Sequence, residues 1–180
     1  VVATGGRPLR PAIPGIDGEN VIDVIDYHRQ HLQMPEQEVV VAGGGLSGCD
    51  AALELALAGK SVTIVEMLDE VAGDMIVITR LTLLRQLAEH GVKILTGHRV
   101  KEFLPDGLVA VGPDGNDVKV SADKVIVAFG VRPDDTLARD LRSRCERLLV
   151  VGDWRQPAKV GEAVQALADR GAIQARVAFA

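Results

Sequence analysis

Residues 38 to 66 run EVVVAGGGLSGCDAALELALAGKSVTIVE. EVVVAG (38 to 43) and SVTIVE (61 to 66) are short runs rich in β-branched residues. Between them, SGCDAALELALAG carries apolar residues at helical spacing and stops at Gly59. One strand-helix-strand unit is expected. Gly43, Gly45 and Gly48 spell G-x-G-x-x-G where a strand ends and a helix begins, the place its mechanism demands.

Each glycine has its own physical task. The first permits a tight turn, the second lets a diphosphate approach the backbone, and the third lets helix and strand pack closely. The helix start, with Leu46 and Ser47, supplies free N–H groups and partial positive charge. Glu66 ends the second strand, and 66 − 43 = 23 residues from the first glycine agrees with the usual spacing of about 20 to a ribose-binding acid. It is assigned to the adenosine ribose hydroxyls. Met67 and Leu68 follow it, so no Arg or Lys stands ready for a 2'-phosphate, and NAD(H) is favoured over NADP(H).

Outward from this unit the pattern continues as parallel sheet. A second helix is expected from about Ile78 to His90, with Leu81, Leu84, Leu87 and Ala88 on one face and Gly91 as its stop, followed by the strand VKILT. Between Arg99 and Val120 the period drops to two, with turn signals at Pro105-Asp106-Gly107 and Pro113-Asp114-Gly115, so a small antiparallel meander is expected. KVIVAFG (124 to 130) returns as an apolar strand ending in Gly130. RLLVVGD (147 to 153) reads as another strand, and Val160 to Phe179 as an amphipathic closing helix.

Upstream, VVATGG reads as a buried strand running into a turn. Residues 7 to 18, RPLRPAIPGIDG, carry three prolines and two glycines and read as an extended connector between domains. Asp23 to Leu32 reads as a helical turn or two ending near Pro35. The expected class is α/β, a Rossmann-like doubly wound parallel sheet with a small antiparallel meander.

Composition narrows the function. The chain has 180 residues and a net charge of -5. No segment collects Lys and Arg as phosphate neutralisation requires, which argues against nucleic acid as partner. No apolar run approaches the roughly 20 residues of a membrane helix, and no membrane partner is expected. Cys49 and Cys145 form neither a C-x-x-C pair nor metal-ligand spacing, and a reducing cytoplasm suits them best. Cys49, inside the helix start, is read as a small core residue rather than a nucleophile. His28 and His31 beside Tyr27 lack further ligands at matching spacing and are read as surface histidines. No metal site is assigned.

The order VVATGG, VVVAGGGLSGCDAALELALAG, VIVAFGVRPDD, LLVVGDWRQPAKVGEAVQALADRGAIQA resembles the two-dinucleotide-domain module of pyridine nucleotide-disulfide-type oxidoreductases. Within that group it most resembles the C-terminal half of the NADH:flavin oxidoreductase and 2,4-dienoyl-CoA reductase family. The resemblance implies an NAD domain (36–130) inserted into an FAD domain. Residues 1–35 would hold the FAD domain's exit strand and linker, marked by Ala3, Thr4 and Gly5. Residues 131–180 would hold its return segment, in which Gly152 and Asp153 lead back and Asp153 contacts the flavin's ribityl chain. Asp50 stands where relatives often carry a glutamate near the nicotinamide, and the resemblance places Gly130 among the cofactor-binding residues too. The chain departs from the pattern at Phe129, often a threonine, and at Asp134, frequently an asparagine.

The resemblance further implies that the FAD pyrophosphate motif precedes residue 1, since no second G-x-G-x-x-G occurs, and that the rest of the same polypeptide is a partner of this chain. In the branch it resembles most, that N-terminal region also carries FMN and a cysteine-ligated iron-sulfur cluster. Hydride transfer from NADH to flavin is the activity implied for the intact protein. No residue here is assigned a catalytic role, and the lack of C-x-x-C removes dithiol exchange within these residues. The alternative is a non-catalytic module holding ADP, as in some flavoprotein electron-transfer dehydrogenases.

Overall fold

The computed structural model describes Val2 and residues 6–30, 35–134 and 136–144. In chain order the elements are β1 (Gly6–Pro8), β2 (Val21–Asp23), α1 (Val24–Gln30), β3 (Glu38–Ala42), α2 (Leu46–Leu57), β4 (Ser61–Val65) and α3 (Val77–Glu89). They continue with β5 (Lys93–Leu95), β6 (Arg99–Leu104), β7 (Gly107–Val111), β8 (Asp117–Ser121), β9 (Lys124–Val127), β10 (Val131–Pro133) and α4 (Thr136–Arg142). Backbone proximity divides the chain into a unit from Arg10 to Gly130 and a second made of the two flanking stretches.

In the first unit, β2, β9, β3, β4 and β5 form one parallel sheet in that order. The β3-α2-β4 crossover anticipated from residues 38 to 66 is its centre. Strands buried on both faces must be apolar at successive positions rather than at alternate ones. Val39, Val40, Val41 and Ala42 meet that requirement, and all four are buried. Val39, Val41, Ile64 and Ile126 face a core built with Cys49, Ala52, Leu55 and Leu87 of the helices. Val40, Ala42, Val65, Val125 and Val127 face the opposite core, built with Val100, Phe103, Leu108 and Ala110 of the β6-β7-β8 meander. Fully burying each Val, Ile, Leu or Phe among them contributes roughly 1.5–3 kcal/mol. The parallel sheet therefore lies between helices and a small antiparallel sheet, a mixed α/β fold of Rossmann-like type.

The helix stops follow from glycine. Past the end of α2, Gly59 takes φ +82°; its N–H donates to Ala56 O, and that of Lys60 donates to Leu55 O. This is a Schellman closure, open to glycine because a left-handed φ costs it nothing. At the end of α3, Gly91 takes φ +72°.

Two local readings change. Residues 21 to 23 form a strand that pairs in parallel with β9, Val21 opposite Val125, before α1 begins at Val24. Three residues are too few to show a period, so the strand exists only because β9 offers an open edge. The proline-rich segment is also packed: Phe103 N–H donates to Pro14 O at 2.8 Å, and Ile16 is buried beside Phe103.

In the flanking unit, β1 pairs antiparallel with β10, and Val2 packs with Ala138 and Leu141. Asp134 accepts from Thr136 N–H at 3.2 Å and from Arg7 Nε at 2.6 Å. Hydrogen bonding from Thr136 and then from Arg7 holds its carboxyl down at about 2. The strand read at 147 to 153, the closing helix and the Ala3-Thr4-Gly5 segment lie outside the described residues.

Candidate dinucleotide site

The glycine-rich loop leaves the sheet at the carboxyl end of β3, between the ends of β4 and β9. Gly43 N–H still pairs with Val65 O at 2.9 Å, and Ala128 N–H with Ala42 O at 2.7 Å. In open parallel sheets such a point, where successive crossovers diverge, is where ligands bind.

The three motif glycines meet three different environments. Gly43 takes φ +111°, and a side chain there would strike the Ala128 carbonyl. A side chain on Gly48 would strike the Gly43 carbonyl and lie 3.2 Å from Ala128 Cβ. This close approach of α2 to its strand is the task set for the third glycine. Around Gly45, in contrast, a Cβ would meet nothing within 4 Å. Gly45 is the N-cap of α2, with extended backbone and no side-chain cap, and the first turn holds no acidic residue. An uncapped helix end leaves donors facing outward and a partial positive charge undiminished. Leu46 and Ser47 are exposed there, while Gly48 is buried.

Glu66 lies just past β4, only 8% exposed. Its Oε2 accepts from Gly44 N–H at 2.5 Å and its Oε1 from Leu68 N–H at 2.8 Å. The carboxylate is thus oriented by backbone on both oxygens, and each oxygen retains a lone pair for a further donor. Met67 and Leu68 beside it are exposed at 63% and 60%. Asp50 is exposed on α2, and Gly130 takes φ +90° in open space. Asp153 lies outside the described residues.

Cys49 is wholly buried, and its Sγ is 3.4 Å from Gly44 O. Burial, with the nearby negative charges of Asp50 and Glu66 adding to it, pushes its thiol up to about 12, so the side chain is inert packing. Tyr27 is buried in the helix-side core, and His28 Nδ1 lies 3.6 Å from Glu54 Oε2. His31 is outside the described residues.

Motif reading passed over two features. Gly44, an unspecified position in the pattern, has no room for a side chain, because a Cβ would sit 2.5 Å from Val71 Cγ1. Its carbonyl accepts Ala72 N–H at 2.7 Å. The segment after β4 thus supports the loop, and its sequence, Asp69 to Gly73, carries no periodic signal to reveal that.

The family model for pyridine nucleotide-disulphide oxidoreductases matches residues 1–165. This chain belongs to that family. An NADH oxidase of Thermoanaerobacter brockii is 38% identical over 168 residues, covering 91% of this chain and 26% of that protein. A bilirubin reductase of Mediterraneibacter gnavus is 31% identical over 88% of this chain and 24% of its own length. A solved 2-naphthoyl-CoA reductase in complex with 2-naphthoyl-CoA superposes with a TM-score of 0.84 at 32% identity, over 91% of this chain and 25% of that one. The chain spans about a quarter of the length of these relatives. Membership of this family of pyridine nucleotide-disulphide oxidoreductases implies binding of FAD and NAD(H). Among the described residues no helix is long and apolar enough to cross a membrane.

Proposed function

We propose that this chain binds NAD(H) on the Gly43–Gly48 loop and serves as the NADH-reading part of a flavin-dependent oxidoreductase. The observation that carries the reading is the open space around Gly45 at an uncapped helix end. That space lies one residue from the Gly44 N–H that orients the Glu66 carboxylate. The amides of Gly45, Leu46, Ser47 and Gly48 would hold the diphosphate, and Glu66 the ribose hydroxyls of the adenosine. A 2'-phosphate brought to Glu66 would meet a buried carboxylate and be repelled.

Asp50 and Gly130 would flank the nicotinamide end, and Asp153 would contact a flavin in the return segment. The bound cofactors supply hydride transfer from nicotinamide to flavin. The part of these residues is to bind and orient. The domain division 1–35, 36–130 and 131–180 and the placement in the NADH:flavin oxidoreductase and 2,4-dienoyl-CoA reductase branch belong to the same proposal. So do the FMN and iron-sulfur cluster of the rest of the polypeptide and a cytoplasmic location. The names of relatives support it, an NADH oxidase and a reductase of an aromatic CoA ester among them.

Titration of the chain with NADH, NADPH and ADP, read by thermal unfolding, tests the reading. NADH at a hundred times its dissociation constant should stabilise by about 2.7 kcal/mol, NADPH far less, and Glu66→Arg should erase that preference. No response to NADH, or a wild-type preference for NADPH, defeats it.

A further inference from the structure

The glycine-rich loop is braced from one side by the segment after β4, and one side chain holds that segment. Arg80, in the first turns of α3, is half-buried; its Nε donates to Val71 O at 2.8 Å, and Nη2 pairs with Glu70 Oε2 at 2.9 Å. The next residue, Ala72, is buried and takes φ +50°. A left-handed φ is unfavourable for a residue with a Cβ and persists only where the surroundings impose it. The Ala72 N–H donates to Gly44 O, 2.7 Å away. Gly44 is then gripped on both sides of its α-carbon, its N–H by Glu66 Oε2 and its C=O by Ala72.

We propose that Arg80 is a positioning residue for the dinucleotide: by fixing residues 70 to 72 it fixes the Gly44 peptide, and with it the direction of the amides that open toward Gly45. The proposal rests on the NAD(H) reading above and adds to it a residue that makes no contact with the nucleotide. Losing the guanidinium leaves Val71 O without its partner and lets the strained Ala72 peptide relax. The loop then samples geometries in which its amides no longer converge, and binding must first select the competent one.

The test is nucleotide affinity of the full chain, measured by calorimetry for NADH and for ADP, with hydrogen exchange followed at the Ala72 amide. Arg80→Met keeps length and apolar stem. It should weaken NADH and ADP alike, by roughly tenfold, the loss of one charge-assisted hydrogen bond. It should also accelerate Ala72 exchange by a similar factor. Arg80→Lys retains the charge opposite Glu70 and should recover part of both. If Arg80→Met does not fold, Arg80→Lys decides, and unchanged affinity and exchange in it overturn the proposal. Arg85→Met on the same helix removes only the exposed ion pair with Glu89 and should alter neither quantity. Wild-type affinity in Arg80→Met, or an equal loss in Arg85→Met, overturns the positioning role while leaving the NAD(H) reading intact. Wild-type chain that binds neither nucleotide overturns both.

Discussion

Gly44 N–H and Glu66 Oε2 lie 2.5 Å apart, a hydrogen bond that joins the glycine-rich loop to the carboxylate 22 positions later. It links the loop whose following amides are proposed to hold the diphosphate with the carboxylate proposed to face the ribose. A shift of the Gly44 peptide would therefore break or drag this contact, which couples the two proposed binding groups.

Glu66→Gln tests that link. The amide keeps one acceptor but sets an NH2 group against the N–H of Gly44 or Leu68, which leaves a buried donor unpaired. A loss of about 1–3 kcal/mol in stability is expected, read from the urea midpoint. An unchanged midpoint would show that the two backbone bonds carry no stability.

The same substitution at two motif glycines should separate folding from binding. Gly48→Ala drives a methyl into the Gly43 carbonyl and should destabilise the chain by roughly 1–3 kcal/mol. Gly45→Ala meets nothing; stability should change by no more than about 0.5 kcal/mol, while ADP and NADH affinity falls because the methyl occupies the face where phosphate would approach. Calorimetric titration of both variants, alongside denaturation, checks the contrast. Full-strength binding by Gly45→Ala would move the ligand face elsewhere.

Asp23 ends β2, almost wholly buried, and accepts from Ile25 N–H at 2.8 Å. Burial, above the opposing backbone hydrogen bond, raises its carboxyl from 3.8. The folded chain thus holds this proton more tightly than the unfolded chain. Asp23 contributes most below pH 3.8, and the contribution falls as pH rises through the raised value. Asp23→Asn has no such proton. The stability of wild type relative to Asp23→Asn should therefore decline on raising pH through that range, as chemical denaturation at successive pH values will show; a difference flat in pH would contradict it.

Cys49, held at about 12, should resist alkylation. At pH 8 its thiolate fraction is on the order of one in ten thousand, and burial blocks the reagent as well. Iodoacetamide followed by peptide mass spectrometry should leave Cys49 unmodified in the folded chain and label it in urea. Labelling at equal rates in both conditions would refute the burial.

Much of this protein was legible in short stretches. Residues 38 to 66 announced β3, α2 and β4 because runs of β-branched residues, helical spacing and glycine stops are local properties. The spacing to Glu66 follows from the length of one strand-helix-strand unit. Residues 99 to 120 announced the meander by alternation and turn signals, which are equally local.

Tertiary structure alone decided which distant groups meet. The strand at Val21–Asp23 forms because β9 has an unpaired edge, and the proline-rich segment lies along β6 because Phe103 offers an N–H to Pro14. Gly44, Ala72 and Arg80 come together through the packing of one loop on another. Hydrogen-bond partners across a fold are set by long-range pairing, and no periodicity in the chain records them.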